Sequence, residues 1–263
     1  MQVVAHCRLC EKEKELKLSH IIPRSFIKRR KQNGKTVLYT VGKGAVTGIY
    51  DPKELLLCHE CEQFLSKEFE SYGIDLLRNK KNVSKVSGGV IFNNFNYSKF
   101  YLFLISILWR ASISSIETFK QVDLCPEYNE LIRSCLLKKS LKIQTSIRLP
   151  HVIKIAMIRV VDVKNELGDE LLKGALLNVN RESSHDQICY YFMVEGFLFL
   201  YDFTLPKDLH ELRCDRIYAQ LTDSSKLFVP TCDFRNLSQI YNAFACMANE
   251  AKNNITKNST GTF

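Results

Sequence analysis

Residues 16–26 read LKLSHIIPRSF, and they stand between CRLC at 7–10 and LLLCHECEQF at 55–64. Each Cys-x2-Cys pair can present two thiolates from a tight knuckle, and two such pairs make the four ligands of a tetrahedral zinc. Cys7, Cys10, Cys58 and Cys61 are therefore expected to hold one structural Zn²⁺. The span between the pairs is longer than a simple zinc ribbon requires, and His20 lies inside it. No βαβ pattern surrounds the pairs, which argues against a thioredoxin-like redox role. A metal tie would let a segment too small for a large core fold around that histidine.

Outward from this frame, KTVLYTV at 35–41 is β-branched and bounded by QNG and GKG, so it is expected as a strand of a small hairpin. The stretch CEQFLSKEFESYGIDLL at 61–77 places Phe64, Leu65, Glu68, Phe69 and Tyr72 at helical spacing, so a helix should begin at or inside the second pair. Residues 99–112 read as a buried helix that Ser98 can cap. Pro126 suits the first turn of another, with Leu131, Ile132, Cys135 and Leu136 on one face. From residue 150 the pattern turns to strands, HVIKIAMIRVV, GALLNVN, CYYFMV and FLFLYDF, with Glu195-Gly196 as a hairpin turn. The expected fold is α+β in four parts. These are a zinc-bound ββα-metal (treble-clef) module over 1–75, a helical block over 76–149, an antiparallel β-rich α+β domain over 150–250, and a flexible tail over 251–263.

Composition sets the limits. The 263 residues are 46% hydrophobic and 25% charged, which excludes wholesale disorder. The start lacks the pattern of a secretory signal, and the longest apolar run, FYLFLISILW at 100–109, is too short to span a bilayer. A cytoplasmic protein with no membrane contact is expected. Ten cysteines in such a chain are read as reduced thiols, and those outside the two pairs as structural. The net charge is +9, and its positive excess lies within residues 1–149. That side would meet a polyanion, or is an ordinary basic surface kept for solubility.

Taken in order, CRLC, SHIIP and LLCHECE resemble the zinc-stabilised branch of the HNH endonucleases. The resemblance covers residues 5–75 and implies a ββα-metal fold that cuts nucleic acid with one divalent ion. It makes His20 the general base, a role that suits an imidazole titrating near neutral pH. It puts Glu62 where a metal-binding histidine would stand, as a ligand of Mg²⁺ or Mn²⁺. It also implies a nucleic acid substrate, DNA first, a homodimer or partner subunit, and a bacterial restriction or anti-phage setting. Three positions depart from the family pattern. Ser19 replaces the acid before the histidine, no asparagine is placed to orient the base (Asp51 and Lys53 occupy that loop), and Glu62 replaces histidine, which an oxygen-preferring ion tolerates. RSFIKRRK at 24–31 supplies Arg24, Lys28, Arg29, Arg30 and Lys31 as expected phosphate contacts.

Rival readings remain open at this level. His20 could complete a structural contact in an inactive treble clef that only binds nucleic acid, with the basic run a solvated loop. The C-terminal part could instead be the working region, as a sensor or adaptor.

Overall fold

The computed structural model describes residues 3–27, 37–40, 44–47, 51–166, 169–182, 188–203, 220–238 and 240–245. Lys28 to Lys31, Cys214, Cys246 and the 251–263 tail lie outside them. Among the described residues, no helix is long and apolar enough to cross a membrane.

Among the described residues, the fold is mixed α+β, with one sheet of three strands and one of nine. The smaller has three strands in the order β1 (Val4–His6), β2 (Glu13–His20), β5 (Lys53–Cys58), antiparallel throughout. Leu16 and Ser19 of β2 are buried while Leu18 is exposed, so the strict period-2 alternation of a strand breaks between 16 and 19. A bulge shifts the β2–β5 register between Lys17 and Leu18, so that Lys17 faces Leu57 and Leu18 faces Leu55. The skipped residue, Leu56, offers its carbonyl to the N–H of Arg8 at 2.9 Å. A local irregularity thus docks the first knuckle onto β5.

Helix α1 (His59–Leu65) follows β5 directly, and a π turn over Ser66–Glu70 joins it to α2 (Ser71–Arg78). Gly73 of α2 lies so close to α3 (Tyr97–Ser112) that an added Cβ would stand 2.2 Å from the Phe103 ring. Only hydrogen at that position permits the approach. Nearly every residue of α3 is buried. Its cap is Asn96, whose side chain accepts from Lys99 N–H at 3.0 Å, rather than Ser98, because residue 96 is the one with its backbone still extended ahead of the first turn. Helix α4 (Pro126–Lys138) starts on its proline as expected and closes with Lys139 in the left-handed region.

The larger sheet has nine strands in the order β4 (Gly44–Thr47), β3 (Val37–Thr40), β9 (Ala175–Arg181), β10 (Cys189–Val194), β11 (Phe197–Phe203), β8 (Ile153–Val161), β12 (Lys226–Asp233), β7 (Gly89–Asn93), β6 (Val83–Val86). Strands β9, β10 and β11 are buried without alternation because both faces are covered, Asn178 and Asn180 of β9 included. Helix α3 covers one face, where Tyr201 donates to the Leu104 carbonyl at 3.2 Å and Phe199 meets Phe100. Leu172 of α5 (Asp169–Gly174), Phe234, Ile240 and Phe244 cover the other. Glu195 and Gly196 turn β10 into β11 with positive φ of 53° and 75°, as a two-residue hairpin of this hand requires.

The sheet differs from the expected antiparallel one. It recruits the β6–β7 hairpin from the span read as helical and the β3–β4 hairpin from the insert between the cysteine pairs. Two of its joins, β12 with β8 and β3 with β9, are parallel. Parallel neighbours come from crossovers and leave no local turn to read. One cluster of buried side chains runs from Cys7 through Phe69 and Phe103 to Phe199, so the cysteine region shares its core with α3 and the large sheet.

Candidate metal centre and the histidine beside it

The first knuckle is a turn in which Glu11 N–H donates to the Cys7 carbonyl at 2.8 Å and Cys7 N–H to the Lys12 carbonyl at 3.0 Å. Glu11 takes φ 58° to close it. Cys58 ends β5 and stands at the N-cap of α1, which places Cys61 one turn in and on the same side. The four sulfurs lie within 4.8 Å of one another, Cys10 and Cys58 at 4.0 Å. A tetrahedron with Zn–S bonds of about 2.3 Å has edges of about 3.8 Å, so modest closure of this cluster completes the site. All four are free thiols. Cys58 N–H already donates to Cys7 Sγ at 3.3 Å, the kind of outer contact that orients a thiolate ligand. Without a cation, burial holds the Cys58 thiol up at about 11 and raises Cys61 as well. Burial also opposes ionisation of Cys7, yet the N–H groups of Cys10, Cys58 and Leu9 around it bring that thiol below its ordinary value. The donor set fits zinc.

Strand β2 carries the chain from this frame to His20 at its far end, opposite Lys53. His20 Nε2 stands 3.2 Å from Asp51 Oδ1, out of line for a hydrogen bond, and Lys53 Nζ holds Asp51 Oδ2 at 2.7 Å. Burial lowers the His20 pKa from its ordinary value, Asp51 opposes the shift, and Lys53, Arg24 and Arg110 add to it. The net effect favours the neutral imidazole. Arg24 sits exposed on the helical turn that follows Pro23.

Glu62 lies one residue past Cys61 in α1. Burial raises its pKa, while the Ser19 hydroxyl and the Arg110 charge oppose the rise. Its Oε1 is buried without a hydrogen-bond partner. Ser19 is fully buried and accepts the Leu57 N–H at 3.1 Å, so the position where the resembled family has an acid is closed into the β2–β5 interface. An ideal α-helix would turn residue 70 about 80° away from residue 62. The wider π turn between them takes up part of that offset, and the two carboxyls interact electrostatically. π turns in helices recur at functional sites.

Arg24 lies within electrostatic reach of His20, and His20 and Glu62 both lie in the field of Arg110; His59 is exposed, and Glu68 pairs with Lys139. Among the described residues, no second group of three His, Cys, Asp or Glu ligand atoms comes together as the cysteines do. Sequence reasoning passed over three clamps. Arg110 of α3 is 2% exposed and donates to the His20 carbonyl at 2.9 Å. Arg133 of α4 donates to the Leu9 carbonyl at 2.8 Å and pairs with Glu11 and Glu130. Glu54 accepts from Ser114 Oγ, Ser115 N–H and Ser115 Oγ. The readable sign was Arg110 itself, a permanent charge among the buried residues of a helix whose other buried positions, Ser106 apart, are apolar or aromatic.

No family model, no curated protein and no solved structure matches this chain.

Proposed function

We propose that this chain is a metal-dependent HNH-type endonuclease that hydrolyses phosphodiester bonds in DNA. Strands β2 and β5 with α1 serve as its ββα-metal element, and one zinc on Cys7, Cys10, Cys58 and Cys61 as its brace. The observation that carries this reading is that His20, half-buried at the end of β2, and Glu62, in the first turn of α1 with an Oε1 that has no hydrogen-bond partner, both lie in the field of Arg110.

In this reading His20 is the general base. Asp51 faces Nε2, which leaves Nδ1 to take the proton from water. Glu62 holds a Mg²⁺ or Mn²⁺ ion, which when bound polarises the phosphate and offsets charge on the leaving oxygen. Arg24 and Lys53 flank the imidazole and hold substrate phosphates, and Lys28, Arg29, Arg30 and Lys31 continue the same run along the chain. Contacts of that kind give affinity with little sequence choice, so binding weakens steeply with salt. The resemblance places such an enzyme in restriction or anti-phage defence, acting as a homodimer or with a partner subunit.

A non-catalytic treble clef that binds nucleic acid is the second reading, favoured by the sealing of Ser19 and by the lack of a second ligand trio among the described residues. Cleavage of supercoiled plasmid with Mg²⁺ or Mn²⁺, beside His20→Ala with zinc content measured on both, separates the two. The nuclease reading expects nicking that disappears in the variant while its zinc stays. Salt-sensitive DNA binding with no cleavage by either protein supports the second reading.

A further inference from the structure

We infer that Arg110, which lies in α3 outside the cysteine-framed segment, is the positioning residue of the proposed active site. The inference rests on the nuclease reading above. Its guanidinium does three things at once. One nitrogen donates to the His20 carbonyl at 2.9 Å, another stands 2.7 Å from Glu70 Oε1, and Nε donates to the Ser106 carbonyl of its own helix at 3.2 Å. Its charge also reaches the His20 imidazole and the Glu62 carboxyl.

The arrangement is costly in the terms that govern buried ions. A guanidinium taken out of water loses several kcal/mol of hydration, and apolar replacements of similar volume are often as stable. Helix α3 is otherwise packed with apolar and aromatic side chains, so a Leu or Met at position 110 would suit its packing. A charge kept there fixes something an apolar side chain cannot. Among the described residues, that something is the orientation of the last residue of β2: the His20 carbonyl is gripped from behind, so the imidazole is aimed from a fixed backbone. The π turn brings Glu70 to the same guanidinium, and Glu62 lies in the field of both. Arg110 therefore fixes the base through its backbone and reaches the proposed ion ligand through its charge, from an element that belongs to neither.

Displacement of a base by about 1 Å can cost on the order of 100-fold in rate. In the full-length chain, Arg110→Met should lower the kcat for plasmid cleavage by about that factor while the KM stays within about twofold, because Arg110 touches no substrate. Arg110→Lys keeps the charge but has no planar fork to serve His20 and Glu70 together, so it should fold with its zinc and lose roughly tenfold in kcat. Zinc content and thermal unfolding are measured on each protein. A wild type that cuts, with Arg110→Lys at full kcat, overturns the inference and leaves the nuclease reading in place. A loss that appears in KM and not in kcat also overturns it. A wild type that does not cut under any divalent ion overturns both.

Discussion

The cysteine-framed segment and the nine-stranded sheet are stabilised by different physics. The sheet is held by area: β9, β10 and β11 are buried almost end to end, and Phe92, Phe192, Phe197, Phe199 and Phe203 meet other rings across its faces. The β1–β2–β5 segment leaves Val4, Leu18 and Leu55 in solvent, shares the core of α3 through Leu16, Leu56 and Leu57, and adds point attachments: four sulfurs, a bulge, and the clamps of Arg110, Arg133 and Glu54. Distributed burial tolerates the loss of one contact. Point attachment does not, but it fixes single side chains such as His20 in place. A site is better built on the second kind of structure, with the first as its anchor.

The largest effect should come from the metal. Structural zinc contributes on the order of 10 kcal/mol or more in small zinc-dependent folds. Chelation, or Cys61→Ser, should expose the amides of 7–20 and 53–62 to hydrogen exchange while β8 to β11 keep their protection. Equal loss in both regions would erase the comparison. Next is Phe199→Ala in the sheet, expected to cost about 3–5 kcal/mol by denaturant unfolding with zinc content unchanged. Loss of zinc in that variant would mean the two regions are one cooperative unit despite their different construction.

Arg133→Ala should cost about 1–3 kcal/mol, since it leaves the Leu9 carbonyl without its charged donor. Its mark should be faster zinc loss to a chelator, because the contact braces the first knuckle. The smallest effect is electrical. Burial lowers the His20 pKa, so the folded chain binds that proton less readily than the unfolded one, and this group's contribution to stability falls as pH drops below 6.5. Asp51 pushes the other way, so Asp51→Asn should lower the pKa further, as followed by NMR titration of the imidazole. An upward shift would show that Asp51 does not act on His20.

Much of this was legible in the chain, for reasons that differ by element. The Cys-x2-Cys pairs were readable because metal ligation imposes a spacing, and Pro126, Glu195 and Gly196 because backbone conformation restricts residue type. Strands β8 to β11 were readable because burial on both faces leaves segments rich in apolar, β-branched and aromatic residues. The β6–β7 hairpin was missed: Val83, Ser84, Lys85 and Val86 lie at a sheet edge and carry little apolar pattern. The β3–β4 hairpin was read correctly, but its parallel docking on β9 joins residues far apart in the chain and has no local trace. Arg110 directly follows the apolar run at 100–109, and nothing in the local sequence marks its distant partners. Its partners, His20, Glu70 and Ser106, could not be seen until the π turn and the β2–β5 bulge had been placed.

The position of His20 depends first on the cysteine frame. The most direct measurement is zinc X-ray absorption on the purified full-length chain, with metal content taken on the same sample. One zinc per chain with four sulfurs at about 2.3 Å is the predicted result. A metal-free folded chain, or a zinc bound through nitrogen and oxygen, would contradict it.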